Sequence, residues 1–144
     1  MNKFFLSAIL VSFSFQSFAQ DLSAKAIQYV PGGTVVEVKK DEVKVKTPKG
    51  SIVEVEFSRS GELDEASGDM IENDVFVPGN NQKALAEIAN EIKAQGYQAK
   101  GDWSYDDSFM KGWHYEVDAF KDGKEYEVLL DAKTGKITKA EIDD

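Results

Sequence analysis

The sequence predicts an α+β fold in which a short helix followed by an antiparallel sheet occurs twice in tandem. Three observations carry this expectation. Apolar and polar residues alternate with period 2 in several short runs, an amphipathic segment stands ahead of each set of runs, and turn glycines recur at matched spacing in the two halves.

The first residues stand outside that plan. Met1-Asn2-Lys3 is a short positive start, Phe4 to Phe15 is apolar apart from serines, and Ser17-Phe18-Ala19 puts small residues at the positions a signal peptidase reads. Residues 1–19 therefore read as a secretory signal peptide. Ser7, Ser12, Ser14, Gln16 and Ser17 interrupt the apolar stretch, which falls short of the roughly 20 residues a membrane span needs. No cysteine follows that could carry a lipid, so no membrane anchor is expected after cleavage. The expected destination is the periplasm or the medium. Removing 19 residues that hold one lysine from a 144-residue chain of net charge −9 leaves 125 residues at −10.

The first unit, residues 20–67, opens with a helix predicted over Asp21–Tyr29, with Asp21 as N-cap and Pro31-Gly32-Gly33 as the stop. Three strands follow in the pattern. Val36 and Val38, then Val43, Val45 and Thr47, then Val53, Val55 and Phe57 alternate with polar partners, and Lys40-Asp41-Glu42 and Pro48-Lys49-Gly50 supply turns. Residues 68–81 read as a linker. The wider segment Glu62–Asn81 holds six carboxylates and no base, yet Met70, Ile71, Val75, Phe76 and Val77 are too apolar for a free connector, so part of it should pack on or pair with the sheet.

The second unit, residues 82–144, begins with a longer helix over Gln82–Gln95. Leu85, Ile88, Ala89 and Ile92 share one face, Asn80 or Asn81 is the expected cap, and Gly96 suits a left-handed stop. Trp113, Tyr115, Val117 and Ala119 alternate along a strand, as do Tyr126, Val128 and Leu130, and Ile137 starts another. The halves align by position. Val43 and Val45 match Tyr115 and Val117 at 72 residues' separation, Gly50, Val53, Val55 and Phe57 match Gly123, Tyr126, Val128 and Leu130 at 73, and Gly61 and Leu63 match Gly135 and Ile137 at 74. Each change of offset falls in or beside a turn, where one extra residue does not flip a strand's faces.

Composition excludes much chemistry. The chain has 26 Asp+Glu against 17 Lys+Arg, a single histidine and no cysteine. Thiol chemistry and zinc sites built from several Cys or His are ruled out within one chain, and the acidic balance opposes nucleic-acid and anionic-membrane binding. With no disulfide available, the exported domain must rest on its core, and a chain of this size buries roughly two-thirds of its unfolded surface. His114 should face away from Trp113 and Tyr115 as a sheet-surface residue, with no spacing that suggests a nucleophile–base pair.

One segment departs from the repeat. Gly101–Gly112 reads as an inserted loop dense in aromatics, and Trp103, Tyr105, Phe109 and Trp113 are the candidate partner-binding residues, since aromatics bury large area with few rotatable bonds. The opposing reading makes Trp103 and Tyr105 strand and core positions and Asp106-Asp107-Ser108 a hairpin turn. Asp102, Asp106 and Asp107 are weak candidates for a metal, since their spacing lacks the regular carboxylate pattern of a dedicated calcium loop.

Five short stretches carry a family resemblance. Trp113-His114-Tyr115-Glu116-Val117, Tyr126-Glu127-Val128 and Asp131-Ala132-Lys133-Thr134-Gly135 in the second half, and Val30-Pro31-Gly32-Gly33 and Val53-Glu54-Val55-Glu56-Phe57 in the first, resemble PepSY domains. The first half is nearer to the PepSY-like branch whose tandem organisation is similar to beta-lactamase inhibitor proteins. It departs in having Ser58 where Asp131 stands in the second half. The resemblance implies helices packed on one face of the sheet, no catalytic residues and no cofactor, and binding or inhibition of peptidases. The expected function is a non-enzymatic exported module that recognises a protein or peptide, with a peptidase as the candidate partner. An acidic protein that binds or senses cations is the alternative, and the sequence leaves the oligomeric state open.

Overall fold

The computed structural model describes residues 21–69, 75–79, 81–108 and 112–143; residues 1–19, expected as a signal peptide, and Met70, Ile71, Asn80 and Phe109 lie outside these. Within them the chain is α+β, with two helices and one eight-stranded antiparallel sheet. Helix α1 covers 21–29, followed by β1 (Thr34–Lys39), β2 (Glu42–Lys46), β3 (Ile52–Phe57) and β4 (Leu63–Gly68). Helix α2 (Leu85–Ala94) then precedes β5 (Gln98–Ser108), β6 (Gly112–Lys121), β7 (Lys124–Asp131) and β8 (Ile137–Ile142). The strands lie side by side in chain order, so every pairing is between sequence neighbours.

The alternation does what period 2 requires. One row of paired residues runs Val38, Val43, Val55, Ala66, Tyr105, Tyr115, Leu130, Ile137, and a second runs Val35, Val45, Val53, Gly68, Trp103, Val117, Val128, Ala140. These rows line the core face. Their buried members join Leu22 and Ala26 of α1, Val30 just after it, and Leu85, Ile88, Ala89 and Ile92 of α2 in one hydrophobic cluster. Burying this apolar set is the main stabilising contribution to the fold.

Three local expectations are corrected. β4, formed by Leu63-Asp64-Glu65-Ala66-Ser67-Gly68, is a strand beyond the three expected in the first half, and it is part of the Glu62–Asn81 segment that was expected to pack on or pair with the sheet. The start of α2 is Ala84, with no side-chain cap, instead of Asn80 or Asn81. Tertiary backbone takes the cap's place: the Leu85 N–H donates to the Phe76 carbonyl at 2.8 Å and the Lys83 N–H to the Ala132 carbonyl at 2.7 Å. Asp21 is itself helical, so the cap of α1 falls outside the described residues. The other end of α2 is as expected. Gly96 has φ +89°, the Tyr97 N–H reaches the Ile92 carbonyl at 3.0 Å and the Gly96 N–H the Lys93 carbonyl at 3.0 Å, the double bond of a Schellman stop.

Residues 75–79 bind the halves together from the core side. Phe76 is fully buried against Tyr29, Tyr105 and Tyr115, and the Val77 N–H donates to the Tyr29 carbonyl at 2.8 Å. None of the helices among the described residues is long and apolar enough to cross a membrane.

Candidate functional site

Of the two readings of Gly101–Gly112, the strand and core reading holds for Trp103 and Tyr105, while Asp106-Asp107-Ser108, expected there as a hairpin turn, continues the strand β5. Trp103 and Tyr105 alternate with Ser104 and Asp106, pair with Val117 and Tyr115 on β6, and are 1% and 2% exposed. Trp113 is half-buried and stacks on Tyr105, with centroids 4.7 Å apart and planes 14° from parallel. The Tyr105 hydroxyl donates to Gln82 Oε1 and the Tyr115 hydroxyl to the Lys83 carbonyl at 2.7 Å, so both phenols tie β5 and β6 to the start of α2. Burial drives both phenol pKa values upward, so both stay neutral donors. As candidate contact residues, Trp103 and Tyr105 are thus corrected to core positions, because a ring packed on all sides has no face left for a partner. Phe109 lies outside the described residues.

The chemistry sits on the other side of the sheet. Opposite the core, one cross-strand row reads Glu42, Glu56, Glu65, Asp106, His114, Asp131, and another reads Lys100, Asp118, Glu127, Glu141. Like charges placed directly opposite destabilise a sheet. Near β1 the cost is offset, since Lys44 Nζ lies 3.4 Å from both Glu37 and Glu54. Further in the offset is incomplete. Burial, then repulsion from neighbouring carboxylates, raises the pKa values of Glu56, Glu65 and Asp118. Glu116 is pushed up to about 7, first by burial, then by the hydrogen bond and charge of Glu127, with Asp106 adding repulsion and His114 opposing it.

A bulge in β5 between Lys100 and Trp103 opens a depression of about 230 Å³ on this face. Asp102, Glu116 and Asp118 contribute carboxylates to its lining, Ser67 and Ser104 hydroxyls, and Trp103 and Val117 complete it. Volume and charge suit a single cationic side chain.

The aspartates proposed for a metal do not converge. Asp106 and Asp107 are successive strand residues on opposite faces, Asp102 lines the depression, and Asp106 Oδ1 is 3.0 Å from His114 Nε2. The three acidic side chains that do converge among the described residues are Asp118, Glu125 and Asp143, and the Lys100 ammonium already lies 3.1 Å from Glu125 Oε1. His114 faces away from the core face as expected but is 6% exposed, so it is a buried side chain. Its nitrogens are occupied by Asp106 and, at 3.0 Å from Nδ1, the Gly112 carbonyl, which leaves neither to activate a nucleophile.

Asp131 works as a turn residue. Its Oδ1 accepts the N–H groups of Lys133 at 2.9 Å and Thr134 at 2.8 Å, which hold its carboxyl below the usual carboxylate range. Ser58 has a similar place in the first half, accepting the Glu62 N–H at 3.3 Å through its hydroxyl.

Comparison with known families bears on α2 and β5–β8. Residues 84–141 match the family model described as "Peptidase propeptide and YPEB domain", PepSY. Residues 84–141 are thus similar to PepSY domains. Asp102, Glu116 and Asp118, the three acidic residues of the depression, and the His114–Asp106 pair all fall within this matched segment. No curated protein matches the chain significantly.

The acidic face is not legible in the sequence, because strand alternation names which residues point outward without saying which outward residues of different strands are opposite one another. Its one signal was the run of carboxylates at alternate positions, Glu54-x-Glu56 and Glu116-x-Asp118.

Proposed function

We propose that this protein is a non-enzymatic, exported binding module that uses the outer face of its sheet to recognise a basic segment of a protein partner, and that the partner is a peptidase it inhibits or regulates. The observation that carries the reading is the depression at the β5 bulge, where Asp102, Glu116 and Asp118, all within the segment similar to PepSY domains, line a volume of about 230 Å³. A Lys or Arg side chain placed there would meet Glu116 and Asp118, whose pKa values are raised first by burial and then by neighbouring carboxylates, and its positive charge would favour their ionised forms. The words "peptidase propeptide" in the family description support a peptidase as the partner. Export rests on the signal-peptide pattern of residues 1–19.

The first half belongs to the same reading as a diverged copy of the second. Each half runs helix, then four antiparallel strands, and closes its last hairpin with a side-chain oxygen, from Ser58 or Asp131, accepting backbone N–H groups. In this arrangement both helices cover the core face and the outer face is left to the partner.

Calorimetry with a Lys/Arg-rich peptide and with its Glu-rich counterpart tests the face, and rate measurements on secreted peptidases tests the partner class. Saturable binding of the basic peptide, weakened by salt and by Glu116→Gln/Asp118→Asn, is expected. Equal behaviour of the two peptides would remove the acidic face from the proposal, and unchanged rates across the enzymes would remove the peptidase.

A further inference from the structure

We infer that the chain pairs with a second copy of itself through the exposed edge of β8, extending the sheet across a twofold axis at Ala140. The sheet has two edges, β1 and β8. β1 is poorly suited to pairing: it is bulged between Val35 and Glu37 and ends in Lys39 and Lys40, the latter at φ +41°. Lysines and bulges are the devices that keep edges from associating.

β8 pairs continuously with β7 from Lys139 to Ile142, and its residues from 138 onward are exposed. The Asp143 N–H donates to the Glu125 carbonyl at 2.9 Å. Because hydrogen-bonded and non-hydrogen-bonded pairs alternate along an antiparallel ladder, Glu141 and Lys139 bond inward to β7, and Ala140 and Ile142 turn their backbone groups outward. Two copies of β8 meeting antiparallel at Ala140 would exchange a pair of N–H···O=C bonds there.

Side chains select that register. Centring the pair on Ala140 sets Lys139 opposite Glu141 of the second copy, twice by symmetry. Centring it on Lys139 or Glu141 would set like charges opposite each other. Within one chain Lys139 and Glu141 already lie 3.1 Å apart on the outer face, and Glu141 stands opposite Glu127. The second copy's ammonium would therefore enter beside two carboxylates. On the core face the small Ala140 side chains allow close approach, and Ile142, 52% exposed in the single chain, gains cover. The pairing is isologous and closes at two copies, whereas β1 joining β8 would continue into a fibre.

Analytical ultracentrifugation of the purified chain up to millimolar concentration tests this. A monomer–dimer equilibrium is expected. Lys139→Glu and Glu141→Lys should each weaken it by about tenfold or more, and the double exchange Lys139→Glu/Glu141→Lys should restore it. Ala140→Pro, which removes a donor that β7 does not use, should give a monomer with unchanged circular dichroism. A chain that stays monomeric, one that forms open polymers, or a dimer that the single exchanges leave intact would overturn the inference. None of these outcomes depends on peptide or peptidase binding, so the proposed function stands or falls separately.

Discussion

His114 Nε2 lies 3.0 Å from Asp106 Oδ1 across the β5–β6 ladder, and that oxygen, buried from water, finds no conventional hydrogen-bond donor unless Nε2 carries a proton. The other ring nitrogen faces the Gly112 carbonyl at 3.0 Å. The two residues should then behave as one unit. In a double-mutant cycle of Asp106→Asn and His114→Gln followed by urea unfolding, a coupling of about 1 kcal/mol is expected. A coupling of zero would mean that each side chain is satisfied independently.

Trp103 and Tyr105 carry a second prediction, on stability. Each is almost fully enclosed, Tyr105 between Phe76, Trp113 and Tyr115. Replacing either by Ala removes a large ring from a packed core and should cost about 3–5 kcal/mol. Thermal unfolding by near-ultraviolet circular dichroism checks this; a loss below about 1 kcal/mol would return these rings to the surface role that the sequence suggested.

Of the two readings the sequence allows for Trp103 and Tyr105, the strand and core reading holds. Trp103-Ser104-Tyr105-Asp106 has the strand period, but Asp102, Asp106 and Asp107 also have turn chemistry, and a strand with aspartate on its outer side reads as loop unless that side is known to be solvated. β4 was obscured for a similar reason: its core face presents only Ala66 and half-buried Leu63. By contrast β2, β3, β6 and β7 were legible because valines, leucines and tyrosines mark the core face at every second position. Capping of α2 by Phe76 and Ala132 was not legible at all, since a backbone carbonyl has no residue type.

Gly68 joins the halves and tests how tightly. It pairs with Val53 on one side and Trp103 on the other, at φ +151°, and a Cβ there would stand 2.1 Å from the Ile52 carbonyl oxygen. Gly50 shares a positive φ, +96°, but has open space around it. Gly68→Ala should therefore cost more than about 2 kcal/mol, through a clash of backbone against Cβ as well as conformational strain, and Gly50→Ala only about 1. Equal losses in urea unfolding would show that φ alone sets the cost and that the β3–β4–β5 junction can yield.

Glu116 makes the acidic face measurable through pH. Its folded pKa is pushed up to about 7 from a reference of 4.5, so between these values the folded chain holds a proton that the unfolded chain has released. Stability from this group is full below pH 4.5 and is lost as pH rises through 7. Glu56, Glu65 and Asp118 are raised as well and act in the same direction, whereas Asp131, held low, withdraws its contribution only in more acidic solution. The folded chain should accordingly be more stable at pH 5 than at pH 8. Glu116 is partly solvated, which reduces the full electrostatic value of its shift to an effect on the order of 1 kcal/mol. Glu116→Gln should raise the midpoint of thermal unfolding at pH 8 by about 4 °C and leave pH 5 nearly unchanged. The same substitution should weaken the basic peptide, and a residue that costs stability while serving binding marks a functional face. If the variant is no more stable at pH 8, repulsion on this face is already relieved in the free protein and gives a basic partner nothing to gain.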